Sequence, residues 1–363
     1  GSTDAPTVDV TEPNAQLKLV DDLGYGEYIS DYLNLATADY SLQVQNEYAS
    51  EAVAQFGAPL ATLGLTDSAL VVVASGFLNP SVNSDGPAFG LYAALPMGGE
   101  LVALPAEDIP TAMVQVIHNS PDAAASMVDI YLNDQMLLDD FEFRTASPFV
   151  PVTAGTMFDI VVQPSESTDT AGALAKFNYQ LMPDEKYVLT AAGLVSTSGY
   201  DPLQPFDIKV FTGARTEASQ SGNSDLLVFH GSTDAPTVDV YESSVPAGTL
   251  VDNLMYGHYS DTYLELATDD YVIDIQDESG STTVASFEAS LSELGLADSA
   301  MVVLASGFLE PSSNSDGPAF GLYVSLPSGG DLVALPVAEP TSIEDRLSEK
   351  VRMQVFPNPV SDE

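Results

Sequence analysis

The chain has 363 residues, of which 53 are acidic and 9 are basic, and its formal net charge is −44. So acidic a chain excludes nucleic acid as a partner and disfavours anionic membranes, because almost no side chain is present to neutralise phosphate. Cysteine is absent, which excludes disulfides, thiol catalysis and cysteine-ligated zinc.

A ten-residue stretch opens the sequence and returns later in it. Gly-Ser-Thr-Asp-Ala-Pro-Thr-Val-Asp-Val occupies residues 1–10 and again residues 231–240, and a looser copy runs from His118 to Tyr131. Repetition of this kind is typical of tandem modules. We therefore predict three modules, at residues 1–108, 109–218 and 225–337, followed by a spacer and tail at residues 338–363.

Short strands account for the pattern within each module. Tyr40, Leu42 and Val44 alternate with polar residues, which predicts a strand with one face on a core and one face in water. Residues 69–74 and 300–305 are continuous apolar runs, which predict central strands buried on both faces. Clusters of Gly, Pro, Asn and Asp separate these segments. The predicted fold class is therefore all-β, with three tandem antiparallel β-sandwich modules of immunoglobulin-like architecture.

The first module differs from the others at its beginning. Strands at residues 113–117 and 226–229 precede the repeated turn in the second and third modules, whereas the first module starts in the turn itself. A sandwich without this strand exposes unpaired backbone to which another chain's strand can be added. The longest apolar runs are far shorter than the ~18 residues of a membrane-spanning helix, so we expect no membrane span.

The residues able to carry catalysis are few. His118 and His230 hold equivalent positions in different modules, which argues against a shared zinc site. His230, Ser232 and Asp234 are the residue types of a catalytic triad, but three positions on one strand and turn cannot supply its geometry. The sequence contains no nucleophile elbow, phosphate-binding loop or dinucleotide fingerprint. We expect no enzymatic activity and assign no catalytic or cofactor-binding residue.

Calcium is the one cofactor that the sequence leaves open. Asn83 and Asp85, and likewise Asn314 and Asp316, place oxygen ligands two residues apart before a glycine, as in the first half of a calcium loop. The bidentate glutamate that completes such a loop is replaced by tyrosine in both copies. An Asp-Gly hairpin turn without a metal is the alternative.

The repeated turn resembles a known family. The pattern His-x-Ser-x-Asp-Ala, followed by Val-Asp-(Ile or Val)-Tyr, occurs at residues 118–131 and 230–241 and resembles the DUF4397 family of secreted bacterial and archaeal proteins. The first module has Thr11 where the other two have tyrosine. The resemblance implies a small β-sandwich. The family carries no assigned activity, so no functional residue is carried over.

The end of the sequence carries a second resemblance. Residues 355–362, Val-Phe-Pro-Asn-Pro-Val-Ser-Asp, resemble the start of the type A sorting domain of the type IX secretion system of Bacteroidota. This implies interaction with that secretion machinery and an extracellular or outer-cell-surface location. An ordinary Pro-Asn-Pro turn is the alternative.

Three hydroxyl residues resemble modification sites of exported Bacteroidota proteins. Ser68, Thr170 and Ser299 each follow an aspartate and precede an alanine, as in the O-glycosylation sequon of those proteins. An Asp-Ser or Asp-Thr turn before a strand is the alternative.

The tail also has a strand-like pattern. Val351, Met353, Val355 and Phe356 are spaced like the apolar residues of segment 226–229. We hypothesise that this tail is a strand donor that fills the gap in the first module of the next molecule, which builds a head-to-tail homo-oligomer. An opening strand outside this sequence is the alternative.

The expected function follows from these features together. We expect a secreted or cell-surface structural or adhesive protein, a subunit of an extracellular filament assembled by strand addition. A surface module that binds glycan or calcium without catalysis is the alternative.

Overall fold

The computed structural model describes residues 2–49, 51–245 and 247–338. Strands dominate these ranges, and the helical segments among them are three short 3₁₀ helices, Pro80–Val82, Ala123–Ala125 and Pro311–Ser313. The predicted all-β fold class is confirmed. In the described ranges, no helix is long and apolar enough to pass through a membrane.

The strands are mostly five to eight residues long. Residues 1–108, called module 1 below, contain β1 (Val8–Glu12), β2 (Leu17–Leu23), β3 (Asp39–Asn46), β4 (Ala52–Pro59), β5 (Val71–Ser75), β6 (Gly90–Ala94), β7 (Val102–Ala103) and β8 (Ala106–Glu107). Residues 109–218, module 2, contain β9 (Thr111–His118), β10 (Met127–Leu132), β11 (Gln135–Glu142), β12 (Thr145–Ala146), β13 (Val150–Thr153), β14 (Met157–Pro164), β15 (Ala175–Gln180), β16 (Lys186–Ala192) and β17 (Asp207–Thr212). Residues 225–337, with the two before them, form module 3 and contain β18 (Asn223–His230), β19 (Val238–Glu242), β20 (Gly248–Leu254), β21 (Leu264–Ala267), β22 (Asp270–Asp277), β23 (Thr283–Ser290), β24 (Ala300–Ser306), β25 (Gly321–Ser325), β26 (Gly330–Asp331) and β27 (Val333–Ala334).

Module 1 has two sheets with a small core between them. One has the order β2-β1-β3-β4-β8 and the other the order β5-β6-β7. Leu42, Val44 and Phe56 of the first sheet pack in one cluster with Leu91 of the second and with Leu104.

Modules 2 and 3 each have two sheets of at least four strands. The sheet β11-β10-β14-β15 of module 2 has its counterpart in β20-β19-β22-β23 of module 3. The second sheets have the orders β17-β16-β9-β12 and β21-β18-β24-β25-β27, and β13 also pairs with β9. The opening strands β9 and β18 run parallel to β16 and β24, while the other strand pairs in the described residues are antiparallel. The antiparallel prediction therefore holds apart from one parallel pair in each of these modules.

Modules 2 and 3 are joined face to face. The short strand β26 of module 3 pairs with β12 and thus extends the second sheet of module 2. An apolar cluster lies between them, and its buried members include Ile117, Val188, Leu227, Phe229, Tyr263, Val302 and Leu304. Because the same sheet of each module supplies this cluster, the interface relates equivalent faces of the two repeats.

The apolar runs 69–74 and 300–305 have different surroundings. In β24 the equivalent run is almost wholly buried, as predicted. In module 1 the prediction of burial on both faces is wrong, because Val71 is 53% exposed and Val72 is 43% exposed, against 2% for Val302. The physical reason is a missing neighbour. In the described residues of module 1 no strand takes the place beside β5 that β18 takes beside β24.

Candidate strand-acceptor site

The aspartate of the repeated turn, Asp4, Asp122 or Asp234, anchors a loop in every module. In module 2 the carboxylate of Asp122 accepts hydrogen bonds from Ser196 N (2.7 Å), Ser196 Oγ (2.9 Å), Ala124 N (3.0 Å) and Tyr200 Oη (3.0 Å). Burial acts to raise the pKa of Asp122, but these donors outweigh it and hold the pKa below its ordinary value. The carboxylate is thus fully engaged as an acceptor.

The same anchor is present in modules 1 and 3. Asp234 accepts from Leu309 N (2.8 Å) and Glu310 N (2.8 Å), and Asp4 accepts from Leu78 N (3.0 Å) and Asn79 N (3.0 Å). The backbone N–H of Asn79 is the largest contribution that holds the pKa of Asp4 below its ordinary value. The motif therefore fastens the end of one strand to the loop after a neighbouring strand.

The histidines of the motif serve the same turn. His118 Nε2 lies 2.7 Å from Ala125 O and His230 Nε2 lies 2.8 Å from Pro236 O, so each ring donates to a carbonyl. Burial lowers the pKa of His118 to about 4, so the ring is neutral at neutral pH. Ser232 Oγ donates to Gly307 O at 2.7 Å and to Asp234 Oδ1 at 3.3 Å, while His230 Nε2 bonds to a backbone carbonyl, so the three residues do not form a catalytic relay.

A second repeated aspartate supports a β-bulge. Asp9, Asp129 and Asp239 occupy β1, β10 and β19, and Oδ1 of each accepts from a backbone N–H on the next strand at 2.9, 2.9 and 2.7 Å. The donors are Asp22, Asp140 and Asn253, which have φ angles of 51°, 50° and 54°. Left-handed backbone of this kind suits short polar residues. The repeated Val-Asp pair is thus explained by local structure.

The calcium candidates lie in the loops that the first aspartate anchors. Asn83 Nδ2 donates to Asp4 Oδ2 at 2.9 Å, and Asn314 Nδ2 donates to Asp234 Oδ2 at 3.0 Å. Asn314 Oδ1 in turn accepts from Asp201 N at 2.9 Å. Both asparagines therefore use their amide groups to close the loop. Asp85 and Asp316 each have a φ of 51°, as a left-handed turn position requires.

Two other groups of carboxylates lie close together in the described residues. Oxygen atoms of Asp9, Asp21 and Asp22, and of Asp129, Asp139 and Asp140, approach within 4.8 Å of one another. In the first group the ammonium of Lys18 lies 2.9 Å from Asp9 Oδ2 and 2.6 Å from Asp21 Oδ1, so a side-chain cation already occupies that position. Neither group contains Asp85 or Asp316.

The three candidate glycosylation hydroxyls reach the surface to different extents. Ser68 is exposed, while Thr170 and Ser299 are half-buried. Thr170 Oγ1 donates to Asp134 Oδ1 at 2.6 Å, and Asp67 and Asp298 before the serines have φ angles of 56° and 63°. Whether any of the three is modified stays a prediction.

In the described residues of module 1, the position beside β5 that corresponds to β18 has no strand in it, and neither of the two segments that would flank such a strand is covered. In module 3, β18 pairs with β24 on one edge and with β21 on the other. Further along, Ser260 N donates to Val228 O at 2.7 Å, so the segment before β21 also bonds to β18. Module 1 keeps counterparts of β24, β25 and β27 in β5, β6 and β7, but its residues 25–37, the counterpart of the segment containing β21, are all exposed.

Part of the core of module 1 is left uncovered by the described residues. Leu226 and Val228 of β18 belong to the buried core of module 3. In the described part of module 1 no residue fills the corresponding places, and Leu70 and Ala74 of the facing segment are only partly buried. A strand added beside β5 would therefore bury apolar surface and satisfy backbone groups along both edges.

The outer face of the same sheet is exposed in module 1 and covered in module 3. Tyr259 donates to Thr190 Oγ1 at 2.7 Å and lies with its ring 4.6 Å from that of Phe229, while Tyr263 is 7% exposed. Their counterparts in module 1, Tyr28 and Tyr32, are 87% and 71% exposed. Sequence reasoning did not single out these tyrosines, although their repetition at the same spacing was a usable signal.

The predicted strand-donor residues lie elsewhere. Val351, Met353, Val355 and Phe356 fall outside the described residues, as does the tail that resembles a sorting domain. Their roles stay predictions.

The described residues form an all-β fold in which hydrogen bonds hold the repeated turn. Residues 112–241 match the family model described as "Domain of unknown function (DUF4397)", so a domain of this family is present there. The matched range begins within β9 and ends within β19. It thus covers nearly all of module 2 and the repeated turn of module 3. No curated protein matches the chain.

Proposed function

We propose that the chain is a non-catalytic structural or adhesive protein of the cell surface whose first module accepts a strand from another copy. The observation that carries the proposal is the position beside β5, which β18 fills in module 3. The engagement of the His-x-Ser-x-Asp residues in backbone hydrogen bonds supports a structural rather than a catalytic role for the repeated motif.

The proposed donor is the segment 351–356. Its Met353-Gln-Val-Phe356 ending matches the pattern of Val114-Gln-Val-Ile117 in β9, whose Val114 is buried in the core of module 2 and whose Ile117 is buried between the modules. A donor strand in the register of β18 would turn Met353 and Val355 toward the acceptor core, as Leu226 and Val228 are turned, and Phe356 outward, as Phe229 is. Pro357 has no N–H and ends the ladder.

The geometry of donation favours an open assembly. The acceptor lies in module 1 and the donor follows module 3, so the contact joins two different surfaces. A contact of this heterologous kind produces a chain of molecules unless its rotation closes a ring. The resemblance of residues 355–362 to a sorting signal, together with the acidic composition, supports a location outside the cell.

Exposed tyrosines favour one alternative, a surface that binds glycan. Tyr25, Tyr28 and Tyr32 are all more than half exposed on one segment of module 1. Their counterparts Tyr259 and Tyr263 are covered by protein in module 3, which supports a protein partner for this surface rather than a sugar.

Cysteine cross-linking tests the strand register, because the chain has no cysteine of its own. Leu227 and Val302 are partners in the β18–β24 ladder, and their counterparts are Gln354 and Val71. We expect a Gln354→Cys chain mixed with a Val71→Cys chain to form disulfide-linked heterodimers. A Val360→Cys chain, with its cysteine beyond the ladder, is the control and should not cross-link to Val71→Cys.

Assembly itself is tested by single substitutions in the full chain. Electron microscopy and sedimentation of the unmodified protein should show polymers, and Val355→Asp should leave monomers because it places a charge in the acceptor core. Val360→Asp introduces the same charge beyond Pro357 and should still polymerise. Polymers in Val355→Asp would overturn the proposal. So would an unmodified chain that stays monomeric at high protein concentration in salt that screens its charge.

A further inference from the structure

An arginine side chain is held in a defined receptacle where module 2 meets module 3. Arg144 Nε donates to Ser306 Oγ (3.0 Å), and Nη2 donates to Ser306 O (3.2 Å) and Ala319 O (2.8 Å). The guanidinium carbon lies 4.0 Å from the ring centre of Tyr323, which is a cation–π distance. The receptacle thus binds the planar guanidinium group through three hydrogen-bond acceptors and one aromatic ring.

Module 1 has the same receptacle. Ser75, Ala88 and Tyr92 stand at the positions of Ser306, Ala319 and Tyr323, and the ladder pairs Val73 with Tyr92 as it pairs Leu304 with Tyr323. Phe77 N donates to Pro87 O at 2.8 Å, and Phe308 N donates to Pro318 O at the same distance.

The glycines around the receptacle repeat as well. A Cβ added to Gly76 would collide with Ala88 O, as one added to Gly307 would with Ala319 O. A Cβ on Gly90 or Gly321 would come 3.1 Å from the ring of Tyr92 or Tyr323, so the two tyrosine rings are placed alike. The alanine carbonyl and the tyrosine ring of the receptacle are therefore placed alike in both modules.

The two receptacles differ in occupancy. Ser306 is 0% exposed beneath Arg144, whereas its counterpart Ser75 is exposed. Leu101, the counterpart of Leu332, is 49% exposed, while Leu332 N donates to Arg144 O at 2.8 Å. Module 1 therefore presents a formed site for arginine together with the strip of backbone that accompanies it.

We propose that this receptacle binds an arginine side chain presented by the sheet face of a β-sandwich module of the module 2 type that lies outside the described residues. In the described chain Arg144 is already held by module 3, so a second copy in the same state does not supply it. The net charge of −44 favours a partner that brings cations. The proposal concerns the outer face of the sheet and stands independently of strand addition at its edge.

Backbone contacts next to the arginine also distinguish one ligand from another. Thr145 and Ala146, directly after Arg144, pair with Asp331 and Gly330 of β26, and Phe149 N donates to Pro327 O at 3.3 Å. The corresponding strip in module 1 is residues 96–101. The ligand is therefore an extended segment that begins with arginine and lies along this strip.

A peptide copied from module 2 is the direct probe. We would titrate a capped peptide of residues 142–149 into the full chain labelled at alanine and leucine methyl groups, with Val355→Asp present to keep the protein monomeric. We expect chemical-shift changes at Ala88 and Leu101 of module 1. Ala319 and Leu332 should not shift, because Arg144 of the same chain fills their receptacle.

Two controls test the arginine itself. The same peptide with Arg144→Lys should bind at least about tenfold more weakly, because an ammonium cannot make the forked contacts. In the protein, Ser75→Lys changes an exposed residue and should abolish the shifts by placing a cation in the receptacle. Equal binding of the lysine peptide, unchanged binding by Ser75→Lys, or no shift at millimolar peptide would each overturn the proposal.

Discussion

Removal of the Arg144 side chain should weaken the interface between modules 2 and 3. The guanidinium makes three hydrogen bonds to module 3 and stacks on Tyr323. Hydrogen bonds from a charged donor contribute about 1.5–3 kcal/mol each, and a cation–π contact contributes about 1 kcal/mol. Arg144 is half-buried and water can reach the freed carbonyl groups, so we take roughly half of the sum. We therefore expect Arg144→Ala to lower the free energy that holds modules 2 and 3 together by about 4 kcal/mol.

Native-state hydrogen exchange measures this loss where it occurs. A loss of about 4 kcal/mol lowers the protection of the slowest amides in β16 and β24 by roughly a thousandfold. Strands β3 and β4 of module 1 should keep their protection. Lys176→Ala is the matched control, since it removes another cation of module 2 whose partner is the half-exposed Asp159. A change of less than about 1 kcal/mol in Arg144→Ala, or an equal change in Lys176→Ala, would contradict this account of the interface.

Three further outcomes are expected. The folded pKa of His118 is lowered to about 4 while the unfolded chain titrates near its ordinary value, so protonation favours unfolding. Between neutral pH and pH 4 the unmodified protein should therefore lose up to about 3 kcal/mol relative to His118→Gln, and parallel pH profiles would refute this. In protein from its native host, intact-mass spectrometry should show additions that disappear on replacement of Ser68, Thr170 and Ser299 by alanine; an unmodified mass would reject these sites. The melting temperature should rise between about 0.02 and 2 M sodium chloride as charge repulsion is screened, and a constant melting temperature would show that this repulsion does not limit stability.

The positions of strands were largely accessible to sequence reasoning. Alternation correctly placed Leu42 and Val44 in a core, because a strand turns successive side chains to opposite faces. The same alternation placed Gln43 and Gln45 in water, yet both are buried, and Gln43 Nε2 donates to Gln55 Oε1 at 3.0 Å. A glutamine can be buried when a residue of a neighbouring strand accepts or donates its hydrogen bonds. The sequence does not show which strand will be that neighbour.

The candidate site was predictable only in outline. Comparison of the modules showed that residues 1–10 correspond to the turn that follows the opening strand in modules 2 and 3, and in the described residues one edge of β5 is unpaired. The calcium pattern at Asn83 and Asp85 rests on the spacing of oxygen atoms along the sequence, whereas the direction of the Asn83 amide depends on Asp4, which lies far away along the chain. Oxygen atoms counted along a sequence do not show which atoms already serve as hydrogen-bond partners.

The sequence by itself determined the all-β class, the repeated turn and the charge, because alternation, turn residues and composition are local properties of the chain. Burial was decided by the tertiary structure. Val71 and Val302 stand in nearly identical sequences, yet one is 53% exposed and the other 2%, because β18 lies beside only the second. Tyr28 and Tyr259 differ for the same reason, since module 2 covers only the latter. Equal sequences bury equal surface only where their neighbours are equal, and neighbours are supplied by distant parts of the chain or by another molecule.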